Sequence, residues 1–456
     1  VCSTLVAASL GLLALRRIGG VGDFAASAAA ILAAGAAPFG LDPETCLTLA
    51  PLCALPALAL LWTGRHPAAR VVGVMAGWFS IWMGGMRGAA IFEPWAAWAI
   101  VAATGWCALA LVTGTRRHQL EVSWSATVGL IVLALAWTVF AFVGSLFPVA
   151  VPLANPGTAA ALALVAVSAV LVTRPTPAAT GLEAVHWVIA LSIGVLAGHR
   201  EVVAAVSGLA LPVRDTLHVA YVAAAGAFVT WLGARRTRPA VEGAGAALVL
   251  LGVAKLIVDH ARPDVTIWST AELLAAAAGV ALCASIARSP TVASIVRKLG
   301  VPGLAVGWAL HTIFGNFESA AILWNGRFAA GLAVIAVASL VHALRRDRTA
   351  SDLVPPTVAI ALAYVVGLAE LLDAVEPLTG AWGDVLVSVY TTLFAAFLLV
   401  AGFRRRDRRL RYTALAGFVA VILKVGLHDL AEANVELRIL SLIHISEPTR
   451  LESKSR

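Results

Sequence analysis

Apolar stretches long enough to cross a membrane as helices recur along the whole chain, and short polar loops separate them. A bilayer core ~30 Å thick is crossed by about 20 apolar residues, with roughly 17 to 25 tolerated. Sixteen stretches fit this requirement, near residues 4–15 (truncated), 23–39, 46–63, 71–86, 95–113, 124–147, 157–173, 181–198, 216–233, 241–258, 268–287, 299–315, 327–344, 356–373, 385–403 and 411–428. Because lipid cannot satisfy open backbone groups, these Ala-, Leu- and Val-rich stretches predict an all-α, polytopic transmembrane bundle of about 16 spans.

The composition supports the same class. Hydrophobic residues make up 60% of the chain and charged residues only 13%, which lies outside the range of soluble globular proteins. A net charge of +8 would elsewhere indicate nucleic-acid binding, but here the arginines occur in short bursts between apolar stretches. We therefore expect membrane lipids as partners and no nucleic acid.

The loops predict an orientation. Basic bursts follow every odd-numbered span, at Arg16 and Arg17, Arg65 to Arg70, Arg116 and Arg117, Arg174, Arg235 to Arg238, Arg288 to Lys298, Arg345 to Arg348, and Arg404 to Arg411. The alternate loops carry mostly acidic residues. By the positive-inside rule this predicts a multi-pass protein of the bacterial inner membrane with its Arg-rich loops in the cytoplasm. The segment His199–Asp215 is too short and too polar at its ends to cross, and we predict an outside re-entrant or interfacial segment there.

The cysteines and the chain ends exclude several features. The five cysteines form no C-x-x-C motif, so we expect no disulfide framework, no metal site and no cofactor. Leu440–Arg450 reads LSLIHISEPTR, which resembles the translation of a sequencing adapter. We expect residues 440–456 to be such an artefact and the chain to be an internal fragment of a longer protein.

A repeat of 169 residues organises the second half of the chain. Tyr221 matches Tyr390, Arg235 matches Arg404 and Lys255 matches Lys424 without a gap. The repeating unit contains about six helices, and an even number makes successive units parallel. The predicted domains are 1–180, an N-terminal unit that includes a degenerate copy; 181–350, a six-helix repeat; and 351–439, the truncated start of the next repeat.

Two lysines lie inside apolar stretches at matched positions. A lysine at mid-membrane costs roughly 2.5 to 3.5 kcal/mol on insertion scales, so its placement needs a reason. Asp259 lies four residues after Lys255, and His428 lies four residues after Lys424 with Asp429 next to it. One interpretation is an interfacial ion pair that sets helix depth. The other is an outward-facing pair of cation and acid that binds an anionic ligand.

Further polar residues within the spans are candidates for a pathway lining, or else for interfacial and packing positions. They are Glu183, His186, Trp187, Glu242, Glu272, His311 and Glu370. Glu370 stands out because Asp373 follows it at i+3, on the same helix face. The unusually polar connection Gly315–Arg327 predicts an outside interfacial helix with an aromatic anchor.

Enzyme chemistry has little support in the sequence. Walker-type phosphate loops, H-E-x-x-H and G-x-S-x-G are all missing, so we assign no catalytic residue. The one enzyme-like signal is the acidic loop residues Asp42 and Glu44, because membrane glycosyltransferases that use lipid-linked sugars carry acidic pairs in an outside loop.

The segment Ser388–Ser441 resembles the C-terminal part of a family of bacterial multi-span membrane proteins, domain of unknown function twenty-three thirty-nine. The matching positions are Gly402, Arg404 to Arg406, Leu423, Lys424, Asp429 and Arg438. His428 before the aspartate, and the loss of the following span, depart from the family pattern. The resemblance covers about 55 residues and implies an envelope protein without an assigned activity.

Three functions remain open at this point. The first is a transport or lipid-handling protein with a small-molecule or lipid ligand, using the charges Lys255, Asp259, Lys424, His428, Asp429, Glu370 and Asp373. The second is a structural or scaffolding envelope protein. The third is a lipid-linked-sugar glycosyltransferase.

Overall fold

The described part of the chain is all-helical. A computed structural model describes residues 57, 67–88, 94–142, 155–173, 180–261, 268–314, 325–344, 354–375 and 382–425, and these contain no strand. The helices are α1 Pro67–Gly88, α2 Pro94–Arg116, α3 Leu120–Phe142, α4 Pro156–Thr173, α5 Thr180–Val206, α6 Leu211–Arg235, α7 Pro239–His260, α8 Trp268–Ile286, α9 Pro290–Ile295, α10 Val301–Phe314, α11 Gly326–Ala343, α12 Val354–Val375, α13 Trp382–Arg404 and α14 Arg408–Lys424. A π-helical turn, Val296–Gly300, joins α9 to α10.

Local sequence explains where several of these helices begin. Five of them start at a proline, namely α1, α2, α4, α7 and α9, because proline lacks the N–H that would be left unbonded in the first turn. The side chain of Asn155 accepts a hydrogen bond from Thr158 N at the start of α4. Asn325 accepts from Phe328 N in the same way at the start of α11. Both asparagines therefore act as N-caps.

Eight described helices are long and apolar enough to cross a membrane. They are Pro94–Arg116, Leu120–Phe142, Leu182–Val206, Val213–Arg235, Pro239–His260, Gly326–Ala343, Val354–Val375 and Val385–Arg404. The chain is thus a multi-pass membrane protein, as predicted. Every predicted span from residue 71 onward overlaps a helix, but the count of sixteen is not confirmed, and the stretches before residue 66 lie outside the described helices.

The chain divides into two compact units, Val1–Tyr221 and Val222–Arg456. In the first unit, α1 packs on α2 and α3, and α4 packs on α2, α3 and α5. In the second unit, α7 packs on α8 and α10, and α11 packs on α8, α10 and α12. The same order of helices thus gives the same pattern of neighbours. The predicted domain boundaries at residues 180 and 350 remain predictions.

Each unit has its own core. In the first, Trp78, Ile100, Leu130, Trp137 and Leu164 are buried together. In the second, Leu256, Leu273, Trp308 and Val334 are buried. Lipid offers apolar side chains no worse an environment than protein does, so close packing between helices and polar contacts must hold such bundles together.

The Arg-rich turns share one geometry. Thr237 and Arg406 both have a positive φ, of 54°. In each turn the following N–H closes back on a glycine carbonyl, Arg238 N to Gly233 O at 2.9 Å and Asp407 N to Gly402 O at 2.8 Å. This is the Schellman pattern of a helix C-terminus. A Cβ at Gly233 would lie 2.4 Å from Glu242 N, so the next helix can approach only a glycine.

Two sequence expectations differ from the structure. His199–Asp215 is the end of α5, a short turn and the start of α6, and not a separate re-entrant or interfacial segment. Arg200 and Glu201, which the prediction placed in that segment, are buried beside one another within α5. The predicted interfacial helix Gly315–Arg327 lies outside the described residues as far as residue 324, but Arg327, at its end, is buried in the first turn of α11.

Candidate functional site

A buried carboxylate joins α4 to α5 in the first unit. Glu201 is only 6% exposed. It accepts hydrogen bonds from Asn155 Nδ2, at 3.0 Å, and from the Thr158 hydroxyl. Arg200 Nη1 lies 3.8 Å from Glu201 Oε1 and donates to Asn155 Oδ1 at 3.4 Å. Four polar side chains thus form one cluster with one positive and one negative charge.

A buried carboxylate joins α11 to α12 in the second unit. Glu370 is 4% exposed and accepts from Asn325 Nδ2, which lies 3.0 Å from both carboxylate oxygens. Arg327 Nη2 donates to Glu370 Oε1 at 2.9 Å and also forms an ion pair with Asp373. This cluster has one positive charge and two carboxylates, and Asp373 keeps 31% of its side chain exposed.

The two clusters occupy matching places in the sequence. Glu370 follows Glu201 by 169 positions, and Asn325 follows Asn155 by 170. The arginine, however, comes from a different helix, from α5 in the first unit and from α11 in the second. A buried carboxylate is costly unless it is paired and hydrogen-bonded, and either arginine meets that need.

Aromatic side chains brace both units through the same kind of hydrogen bond. Tyr221 Oη donates to Val195 O at 2.8 Å, and Tyr390 Oη donates to Tyr364 O at 3.0 Å, in each case 26 positions back in the chain. Likewise the indole of Trp137 donates to Gly157 O at 2.8 Å. The indole of Trp308 correspondingly donates to the carbonyl of the cluster arginine at 3.0 Å.

Two buried histidines extend the second cluster. His311, on α10, lies 3.2 Å through Nε2 from the Thr270 hydroxyl, on α8. Its ring centroid is 5.1 Å from that of His260, on α7. Thr270 in turn lies against the start of α11, because a Cβ at Gly326 would be 2.7 Å from its hydroxyl. Arg327 is within electrostatic range of His311.

We call this set the outer network because it lies at the helix ends away from the Arg-rich turns; its members are His260, Thr270, His311, Asn325, Arg327, Glu370 and Asp373. It connects α7, α8, α10, α11 and α12. In the first unit the position that matches His311, by the 171-residue spacing of Trp137 and Trp308, is Phe140. The histidine therefore has no counterpart at the matched position.

The structure brings together some of the residues predicted from sequence. Glu370 and Asp373 meet on one arginine. Lys255 pairs with Asp259 along α7, with 33% of the lysine side chain exposed. Lys424 takes a different partner and donates to Ser388 Oγ at 3.1 Å. His428 and Asp429 lie outside the described residues, as do Asp42 and Glu44.

Other predicted pathway residues have local partners. Glu242 accepts hydrogen bonds from Arg288 N and Ser289 N, at 2.9 and 2.8 Å, and so ties α7 to the start of α9. His186 lies 3.3 Å through Nε2 from the Thr127 hydroxyl. These contacts fit the packing interpretation of both residues. Glu272 is buried on α8.

Sequence reasoning missed the first cluster altogether. Glu201 lies 169 positions before Glu370, so the repeat alone could have identified Glu201 as a candidate. Asn155 and Thr158 carried none, because a single asparagine or threonine at a helix start is most simply a cap.

Within the described ranges, His, Cys, Asp and Glu form no group of three that could hold a metal ion. Comparison with protein-family models, with curated proteins and with solved structures finds no match.

Proposed function

We propose that this membrane protein transports or handles a small molecule or lipid and that the outer network couples this activity to the binding of a proton or small cation. The observation that carries the proposal is the charge count at Arg327. One guanidinium faces two carboxylates there, Glu370 and Asp373. The excess negative charge favours a proton or cation, and ionisable groups within membrane-spanning segments commonly mark ion pathways.

We further propose that the two units are copies of one six-helix repeat, with α14 opening a third copy. Support comes from the shared helix neighbours, the shared asparagine–glutamate contacts and the shared tyrosine hydrogen bonds. Six helices per copy would make the copies parallel. With the Arg-rich turns in the cytoplasm of a bacterial inner membrane, the outer network would face the opposite side. Family membership in domain of unknown function twenty-three thirty-nine is part of this proposal.

The test uses purified protein in liposomes that contain a pH-sensitive dye. A potassium diffusion potential is imposed with valinomycin, and proton entry is followed by the dye. Wild-type protein should accelerate proton entry over protein-free liposomes, and Asp373→Asn should abolish the acceleration. Glu121→Gln is the matched control, because Glu121 pairs with Arg70 in the first unit, far along the chain from the network.

The outcomes separate the possibilities. If a sodium dye shows sodium entry and no proton entry is seen, the outer network is still the coupling site, and the coupled ion is sodium. Equal rates for wild-type protein and protein-free liposomes would refute ion coupling. Lys255→Met and Lys424→Met test the sequence-derived charges in the same assay, where unchanged flux would remove them from the pathway.

A structural role is the second candidate, and the first cluster favours it. Arg200 and Glu201 balance in charge, and Asn155 and Thr158 complete the hydrogen bonds of the carboxylate. In a scaffolding protein both clusters would serve only to hold helices together. Substitutions in either cluster would then lower protein abundance and change no flux.

A further inference from the structure

A cavity of about 560 Å³ lies in the second unit, between α12, α13 and α14. It is separate from the outer network. One end is formed by the turn between α13 and α14, where Asp407 and Arg409 line it. The other end reaches Tyr364, in the middle of α12, and Ala420, in the last described turns of α14.

The length of the cavity corresponds to half of a bilayer. From Arg409 to Ala420, both on α14, eleven helical steps of ~1.5 Å give roughly 16 Å. A bilayer core is ~30 Å thick, so one leaflet is about half of that. The cavity therefore extends from the Arg-rich turn to about the middle of the bilayer.

The walls combine apolar surface with hydroxyl groups. Phe394, Ala395 and Leu398 contribute apolar surface from α13. Tyr364 and Thr391 place their hydroxyl oxygens 3.0 Å apart at the inner end. Arg404, Arg405 and Arg408 are exposed in the turn at the other end. The cavity thus runs from a strongly basic end into an apolar body.

The matched positions 169 residues upstream are built differently. Thr357, Tyr364, Thr391 and Thr413 line the cavity, and valine or alanine stands at each matched position: Val188, Val195, Val222 and Ala244. The small residues Gly417 and Ala420 correspond to Leu248 and Leu251, and Arg409 corresponds to Ala240. Side chains that would fill the space are missing only in the later copy, and hydroxyls are added there.

From these features we infer that the cavity binds one membrane phospholipid with an anionic headgroup. The phosphate lies against Arg409 and the basic turn, where guanidinium groups suit phosphate oxygens. One acyl chain lies along Gly417 and Ala420. None of the residues that line this cavity belongs to the outer network. The test measures lipid occupancy and not flux, so its failure would leave the proposed ion coupling standing.

The test measures lipid bound to purified full-length protein by native mass spectrometry after incubation with equal amounts of phosphatidylglycerol and phosphatidylcholine. Gly417→Leu with Ala420→Leu restores the side chains of the matched positions and should lower phosphatidylglycerol occupancy about tenfold. Val419→Leu is the control, because Val419 lies on the same helix, is 54% exposed and does not line the cavity.

Two milder pairs keep the test valid if the filled variant does not fold. Arg409→Gln should remove the preference for the anionic lipid, whereas Arg405→Gln, in the same turn but outside the lining, should keep it. Thr391→Val should lower occupancy, whereas Thr392→Val, whose hydroxyl donates to Ser388 O, should not. The inference would be overturned if, in both pairs, the cavity variant bound as much phosphatidylglycerol as its control. Displacement of the lipid by inorganic phosphate alone would also overturn it.

Discussion

The clusters around Glu201 and Glu370 both stabilise a buried carboxylate, but with different residues. Each buries a glutamate between two helices and caps the neighbouring helix with the asparagine that binds it. In the first unit the arginine is the residue next to the glutamate, and charges balance. In the second the arginine comes from the facing helix and also holds Asp373. The buried glutamate and its asparagine are common to both helix pairs, whereas Asp373 is found in the second cluster and not in the first.

Among the described residues of the two clusters, the additional ionisable groups belong to the second. The second unit carries the extra carboxylate and the two buried histidines, His260 and His311. Features present in both units, namely the asparagine cap and the tyrosine and tryptophan hydrogen bonds, are sufficient to explain the packing. Features present in only one unit are the better candidates for function.

The largest difference between the units should appear when the arginine is removed. Arg327→Leu leaves two carboxylates without their cation, and breaking a buried pair costs about 3–5 kcal/mol. Arg200→Leu leaves one carboxylate that still accepts from Asn155 and Thr158, so its cost should be smaller. A denaturant titration of each variant in detergent measures the two losses of unfolding free energy. Equal losses would show that Glu370 and Asp373 depend on Arg327 no more than Glu201 depends on Arg200.

A smaller effect, alike in both units, should follow from adding a methyl group at the tyrosine contact. A Cβ at Gly198 would lie 2.2 Å from Tyr221 Oη, and a Cβ at Gly367 would lie 2.2 Å from Tyr390 Oη. Overpacking of this kind costs about 1–3 kcal/mol. Gly198→Ala and Gly367→Ala should therefore lower the unfolding free energy similarly. Adding Tyr221→Phe or Tyr390→Phe should recover part of the loss, and no recovery would refute the contact.

The smallest effect should come from the tyrosine hydroxyls alone. Tyr221→Phe removes the hydrogen bond to Val195 O, and Tyr390→Phe removes the bond to Tyr364 O together with the longer one, at 3.5 Å, to Ala363 O. Hydrogen bonds between membrane helices average about 0.6 kcal/mol. The same unfolding assay should give two similar small losses. A large loss at one tyrosine only would mean that the two units use this residue differently.

The cluster residues show how far sequence reasoning reaches. Glu370 and Asp373 could be singled out because a charge inside an apolar span is rare and i+3 spacing puts both on one face. Their partner Arg327 lies 43 positions before Glu370, on another helix. Helical periodicity says which residues share a face but not which face of another helix they meet. The same limit hid Glu201 and its arginine, which were expected at an interface.

By itself, the sequence determined that this chain forms membrane-length helices, because only a helix satisfies its own backbone in lipid. It also determined the 169-residue correspondence of Tyr221 with Tyr390 and of Lys255 with Lys424. Only the tertiary structure decided that Lys424 pairs with Ser388 while Lys255 pairs with Asp259. The structure also decided which arginine reaches which glutamate, because such pairing depends on the neighbour that packing supplies.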